Sequence, residues 1–263
     1  MIHVVLLIIT LFATPHGYSD YAATALLDTN FINNPYLTAY QRDLIEPHLL
    51  PLDHPCRAAL DLIFSASRVT ANRDTLIEAG FEIFGAANSG SYVTVARHPA
   101  VPGFVFKLYL DSEKRTKKDI PHCEWLARRC IGAKRIRKII QKKKIRHFVV
   151  PDKWIYVLPI YPLAQEPHPE PIILLATEMD LENEETTKVA WQTKVTRRYL
   201  DELYAILKHG CGTTALVNNT PYTKQGQFAF TDTEYPKRHF HLEKVKSVLS
   251  KEMQHYWDTL IEE

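Results

Sequence analysis

The lysine between Phe106 and Leu108, in the run Phe104-Val-Phe-Lys-Leu-Tyr-Leu110, is the residue best placed for chemistry in this chain. An ammonium in so apolar a stretch is costly unless it snorkels to solvent, points into a polar cleft or meets an anion. Seventeen residues before Lys107 stands Gly90, near the end of a turn of small residues, Gly85-Ala-Ala-Asn-Ser-Gly-Ser91. Such a turn lets backbone N–H groups approach a phosphate, although small residues also make ordinary hairpin turns. Seventeen residues after Lys107 comes Glu124, which either neutralises that lysine or screens the arginines around it. Far along the chain, Asn219 and Asp232 lie thirteen residues apart on either side of a Lys224-Gln-Gly226 turn. They are turn formers, or hard oxygen ligands suited to magnesium on a nucleotide's phosphates. Glu234, two residues on, is a substitute base, a second metal ligand or a local pairing partner.

Regular elements must position these groups. Asp53 to Ser67 and Arg73 to Gly80 read as two short helices. Phe81–Phe84, Tyr92–Ala96 and Phe104–Leu110 read as three strands joined by short turns, an antiparallel meander. Between Lys114 and Arg146 there are fourteen Lys and Arg against Asp119 and Glu124, with Trp125, Ala127, Ile131, Ile136, Ile139 and Ile140 at helical spacing. A basic amphipathic helix, or a broken pair, follows. Phe148–Val150, Trp154–Leu158 and Ile172–Ala176 read as strands, the last two separated by a proline-rich loop. An acidic stretch, Glu178 to Glu185, then leads into a helical period from Val189 to His209 that Gly210 stops. Gln227–Thr231 is a short strand that delivers Asp232.

Taken together, these spacings resemble the protein-kinase-like fold over roughly residues 81 to 235. In that family a glycine-rich turn precedes the lysine of the third strand, a helix glutamate pairs with that lysine, and a catalytic loop ends in an asparagine before a hairpin to the metal-binding aspartate of D-F-G. Gly90, Lys107, Glu124, Asn219 and Asp232 stand at matching intervals, the last motif reading Asp232-Thr-Glu. The resemblance implies a two-lobed α+β domain with a nucleotide in the cleft. Gly85, Gly90 and Ser91 would approach the phosphates, Lys107 would bind them and Glu124 would orient Lys107. Asn219 and Asp232 would hold magnesium, and Glu178 to Asp180 would form the hinge facing the adenine. ATP and Mg²⁺ are the cofactors it implies.

The departures bear on activity. Thr214 occupies the position of the family's catalytic aspartate, and a threonine hydroxyl does not accept a proton near neutral pH as a carboxylate does. Ala87 replaces the middle glycine, and the 31 residues after Asp232 contain no A-P-E segment. The expectation is a pseudokinase, or an atypical ATP-dependent phosphotransferase with impaired turnover. Of a different class is a non-catalytic interaction module that uses Lys134 to Arg146 to bind an acidic protein or polyanion. That run has the plainer reading of a solvated helix face.

Composition bounds the rest. With 263 residues, 46% apolar and 24% charged, the chain can bury a core, and its net charge of +2 leaves no global field for nucleic acid. Four cysteines, 56, 123, 130 and 211, lack zinc spacing. Cys123 and Cys130, roughly 10 Å apart on one helix, cannot bridge each other. His239 and His241 have the spacing to share a strand face, and the histidines form no metal motif. The apolar run Val4–Ala13 is too short to span a membrane, which takes about twenty residues, and reads as a signal peptide over 1–18, hence export. The alternative is a buried N-terminal strand in a cytoplasmic protein. The expected division is a helical extension over 19–80, an upper lobe over 81–176 and a truncated, mainly helical lower lobe over 177–263.

Overall fold

The computed structural model describes residues 29–84, 92–211, 215–237 and 241–262. Along the chain run α1 (Thr29–Ile32), α2 (Ala39–Ile45), a 3₁₀ turn (Glu46–His48), α3 (Arg57–Ala66), α4 (Arg73–Glu78), β1 (Glu82–Ile83), β2 (Thr94–Arg97) and β3 (Phe104–Leu108). These are followed by α5 (His122–Lys143), β4 (Phe148–Val149), β5 (Lys153–Val157), β6 (Ile172–Thr177), α6 (Glu184–Thr193) and α7 (Arg197–Leu207). The last elements are α8 (Leu216–Asn219), β7 (Phe228–Ala229), a 3₁₀ segment (Leu242–Val248) and α9 (Lys251–Glu262). The fold is α+β.

Five strands form one antiparallel sheet in the order β1-β2-β3-β6-β5. The first three are the meander expected from the alternating runs. Strand β6 is apolar from Ile172 to Ala176 because both of its faces are covered there. Ile172, Leu174 and Ala176 pack with Trp125, Leu126 and Cys130 of α5, while Ile173 and Leu175 pack with Leu60 and Phe64 of α3 and Leu76 of α4. Strand side chains alternate between faces. With Phe106 and Leu108 committed to the α3/α4 side, Lys107 is left facing α5.

The basic segment is a single helix of 22 residues rather than a broken pair. It starts after Pro121, which cannot donate a backbone hydrogen bond, and ends at Lys144 in the left-handed conformation, φ 54°. Its first half belongs to the core under the sheet. Ile136 and Ile139 belong to a second core with Trp191 of α6, Leu200 and Leu203 of α7, and Trp257 of α9. The helical period expected from Val189 to His209 is broken. Lys194 ends α6, and Thr196, in an extended conformation at φ −113°, starts α7, so the apolar spacing carries across two helices with one bend. His241 precedes the 3₁₀ segment instead of lying on a strand, and His239 is outside the described residues. Cys56, Cys123, Cys130 and Cys211 are all free and buried. No helix among the described residues is long and apolar enough to cross a membrane.

Candidate functional site

A two-strand parallel pair carries the chain back under the sheet. Phe148 and Val149 of β4 register with Phe228 and Ala229 of β7, and the Phe230 N–H donates to the Val149 carbonyl at 2.9 Å. Phe148, Phe228 and Phe230 cluster with Trp191, which anchors this pair in the second core. The next residues, Thr231 to Glu234, therefore emerge between α5 and the sheet. Their approach to α5 is close. A Cβ on Gly132 would lie 2.1 Å from the Thr233 carbonyl oxygen, so only glycine fits there, and the Thr233 hydroxyl donates to the Arg129 carbonyl at 2.6 Å.

Of the residues singled out by spacing, Lys107 and the Asn219 backbone both bond Thr231, the residue before Asp232. Lys107 Nζ donates to the Thr231 carbonyl at 3.2 Å. The Thr231 N–H donates to the Asn219 carbonyl at 3.0 Å, and Asp232 is the next residue in the chain. The other expected partner lies elsewhere. The Glu124 carboxylate is 4.0 Å from Arg128, and among the described residues it forms no ion pair with Lys107. Helix geometry explains this, because Glu124 is about 140° round α5 from Arg129, the side chain that faces Asp232. Glu178 follows β6, whose Leu174 registers with Lys107, so it lies about 13 Å along the sheet from that lysine. Its N–H donates to the Gly103 carbonyl at 2.7 Å and its carboxylate pairs with Arg97. Gly85, Ala87, Gly90, Ser91 and Thr214 lie outside the described residues.

Charges that spacing did not single out complete the cluster. Arg129, fully buried, places Nε 3.3 Å from Asp232 Oδ1 and Nη2 2.7 Å from Glu234 Oε2. Lys117 reaches the other Glu234 oxygen at 2.6 Å, which makes Glu234 a local pairing partner. Lys153, from β5, donates to the Thr231 carbonyl at 3.0 Å and to the Thr233 hydroxyl at 2.8 Å. Lys107 and Lys153 thus share one carbonyl oxygen, and neither forms an ion pair with a carboxylate among the described residues. Two ammonium groups on one oxygen can be no farther apart than the sum of their hydrogen-bond distances, 3.2 and 3.0 Å, at which unit charges repel by roughly 3 kcal/mol at an effective dielectric of 20.

The ionisation of the cluster follows. Burial pushes the Lys107 pKa down, with Asp232 and Glu234 opposing and Arg129 adding to the shift. Lys153 falls well below the usual lysine value, through burial first and then the Lys107 charge. Burial alone would raise the Asp232 pKa, but Arg129, then Lys107, Lys153 and Lys117, outweigh it and hold the carboxyl below the usual range. Arg129 is raised, since Asp232 and Glu234 more than offset its burial. The chemistry available is electrostatic: two lysines whose hydrogen-bond partners among the described residues are neutral, beside a carboxylate that faces Arg129.

Lys153 carried the same signal as Lys107, a lysine entering an apolar strand, Lys153-Trp-Ile-Tyr-Val157. Arg129 carried none, being one of fourteen cations in its segment. Among the described residues no group of three or more His, Cys, Asp or Glu side chains could hold a metal ion. No protein-family model matches the chain, and no curated protein is significantly similar to it.

Proposed function

We propose that the chain is a kinase-like, nucleotide-binding protein with impaired turnover, taking ATP between the five-stranded sheet and the helices that follow Glu178. The observation that carries this reading is the approach of Lys107, from the third strand, to the Thr231 carbonyl beside Asp232, where the Thr231 N–H also meets the Asn219 carbonyl. The antiparallel meander with its lysine on the third strand, and the long helix that follows, support it. In such a site Lys107 neutralises phosphate charge, and the Glu178–Asp180 segment, about 13 Å along β6 from the register of Lys107, lies at the base end. Magnesium fits these surroundings poorly, because the Asp232 carboxylate already faces Arg129. With Thr214 in place of a catalytic carboxylate, the loss of a general base costs about 10² to 10⁴ in rate. What remains is phosphate positioning.

A thermal-shift titration with ATP, with and without magnesium, tests the reading. A ligand at a hundred times its Kd stabilises by about 2.7 kcal/mol, a clear shift in melting temperature. Lys107→Ala should abolish it. No shift under either condition removes the proposal.

A specific feature of α5 favours a second reading, polyanion binding. Lys134, Lys138, Lys142, Lys143, Lys144 and Arg146 are exposed, and none forms an ion pair among the described residues. A heparin-binding titration across salt decides it, since binding to such a face weakens steeply with ionic strength. Association absent, or indifferent to salt, rejects it.

A further inference from the structure

We infer that the site takes the phosphates of its nucleotide directly on the Lys107–Lys153 pair, without a divalent metal. This rests on the nucleotide-binding reading above and specifies how that ligand is held. The charges around Thr231 divide into two groups. On one side are Asp232 and Glu234, each already within ion-pair distance of a cation: Arg129 at 3.3 Å from Asp232, and Arg129 and Lys117 at 2.7 and 2.6 Å from Glu234. On the other side are Lys107 and Lys153, which among the described residues donate to the Thr231 carbonyl and the Thr233 hydroxyl alone.

A magnesium ion arriving at Asp232 would face the Arg129 guanidinium, which lies 3.3 Å from one of its carboxylate oxygens and 2.7 Å from Glu234. It would also sit beside two ammonium groups and Lys117. A phosphate meets the opposite field. Its oxygens replace the neutral acceptors of the two ammonium groups and relieve their mutual repulsion, which is the task a metal ion performs in a site rich in carboxylates. Entry is from the Lys107 side, since Lys107 is half-buried and the Asp232 side chain keeps 24% of its surface exposed, whereas Lys153 is buried behind them. The ligand class is a nucleoside di- or triphosphate, held by its phosphates on lysine.

Calorimetric titration of the whole protein with ATP and with inorganic tripolyphosphate, each in EDTA and in excess magnesium, tests this. ATP should bind in EDTA at least as tightly as in magnesium, since the metal competes for the phosphates. Lys153→Met, an apolar replacement of similar length, should weaken binding tenfold or more, and Asp232→Asn should tighten it. If ATP binds only with magnesium and Asp232→Asn weakens it, the metal-free inference falls while nucleotide binding stands. Tripolyphosphate binding as tightly as ATP in EDTA supports the lysine pair but removes the nucleotide. If neither ligand binds under either condition, both readings fail. Should Lys153→Met not fold, the comparison of EDTA with magnesium on the unaltered protein still decides the matter.

Discussion

Arg129 Nη2 and Glu234 Oε2 meet at 2.7 Å in the interior, joining residues 105 positions apart in the chain. Removing one partner of such a buried pair leaves an uncompensated charge, a loss of about 3 to 5 kcal/mol. Arg129→Met should therefore lower stability by that amount, read as a shift in the urea midpoint. Arg129→Met with Glu234→Gln should recover part of it. A single substitution within about 0.5 kcal/mol of the parent would show that the pair is not buried in solution.

Gly132 offers a contest between two effects of opposite sign. In a helix interior, alanine is favoured over glycine by about 1 kcal/mol. Here the added Cβ would stand 2.1 Å from the Thr233 carbonyl oxygen, a backbone atom that cannot swing away. Overpacking of this kind typically costs about 1 to 3 kcal/mol and pushes neighbouring backbone aside. Gly132→Ala should be destabilising, and it should weaken any ligand held near Thr231. A stabilised variant would show that α5 and the Thr231–Glu234 segment lie farther apart.

His122 gives stability a pH dependence. Its Nδ1 is 2.7 Å from Glu170 and its Nε2 is 2.8 Å from the Arg115 carbonyl, two acceptors that a doubly protonated ring satisfies together. Burial lowers its pKa, but the hydrogen bond and charge of Glu170 outweigh this and raise it above the ordinary 6.5. The folded state thus binds the proton more tightly than the unfolded chain does. The resulting stabilisation is complete below the unfolded value and is lost as pH rises through the folded one. In urea titrations from about pH 6 to 9, the parent's advantage over Glu170→Gln should shrink as pH rises. An advantage constant across that range would refute it.

The thiols should be inert in the native protein. Burial pushes Cys123 and Cys130 up to about 12 and Cys211 to about 11, and it raises Cys56 as well. Thiolates, not thiols, react, so at about pH 8 labelling by a disulfide reagent should be at least a hundredfold slower than for a free cysteine. All four should label promptly in urea. Rapid reaction of any one in the native state would mark a site open to solvent.

The parts that sequence made legible are those in which one physical requirement dominates. Ile172–Ala176 is apolar without interruption because both faces of β6 are covered, and its length selects a strand. Lys107 was legible as a misfit, a charge in an apolar strand. The bend at Lys194–Thr196 was not, because the buried positions before and after it keep a helical period that a break does not disturb. Arg129 was hidden for a different reason. Its role depends on which of many cations turns inward, and that is set by the pose of α5 against the Thr231–Glu234 segment. Glu124 stands at the expected interval from Lys107 but on another side of α5 from Arg129, because an interval counted from a strand leaves the rotation of the helix open. The local pairing read for Glu234 describes its contacts with Arg129 and Lys117.

Helix α5 contributes Trp125, Leu126 and Cys130 to the packing beneath the sheet, and Ile136 and Ile139 to the packing among α6, α7 and α9. One rod is thus embedded at both ends, and two of the interiors share it as a wall. A chain severed after Ala176 would leave the far end of that rod bare, and the fragment that follows would lose one wall of its interior. Each piece should therefore be less stable than the whole, and the molecule should melt as a unit.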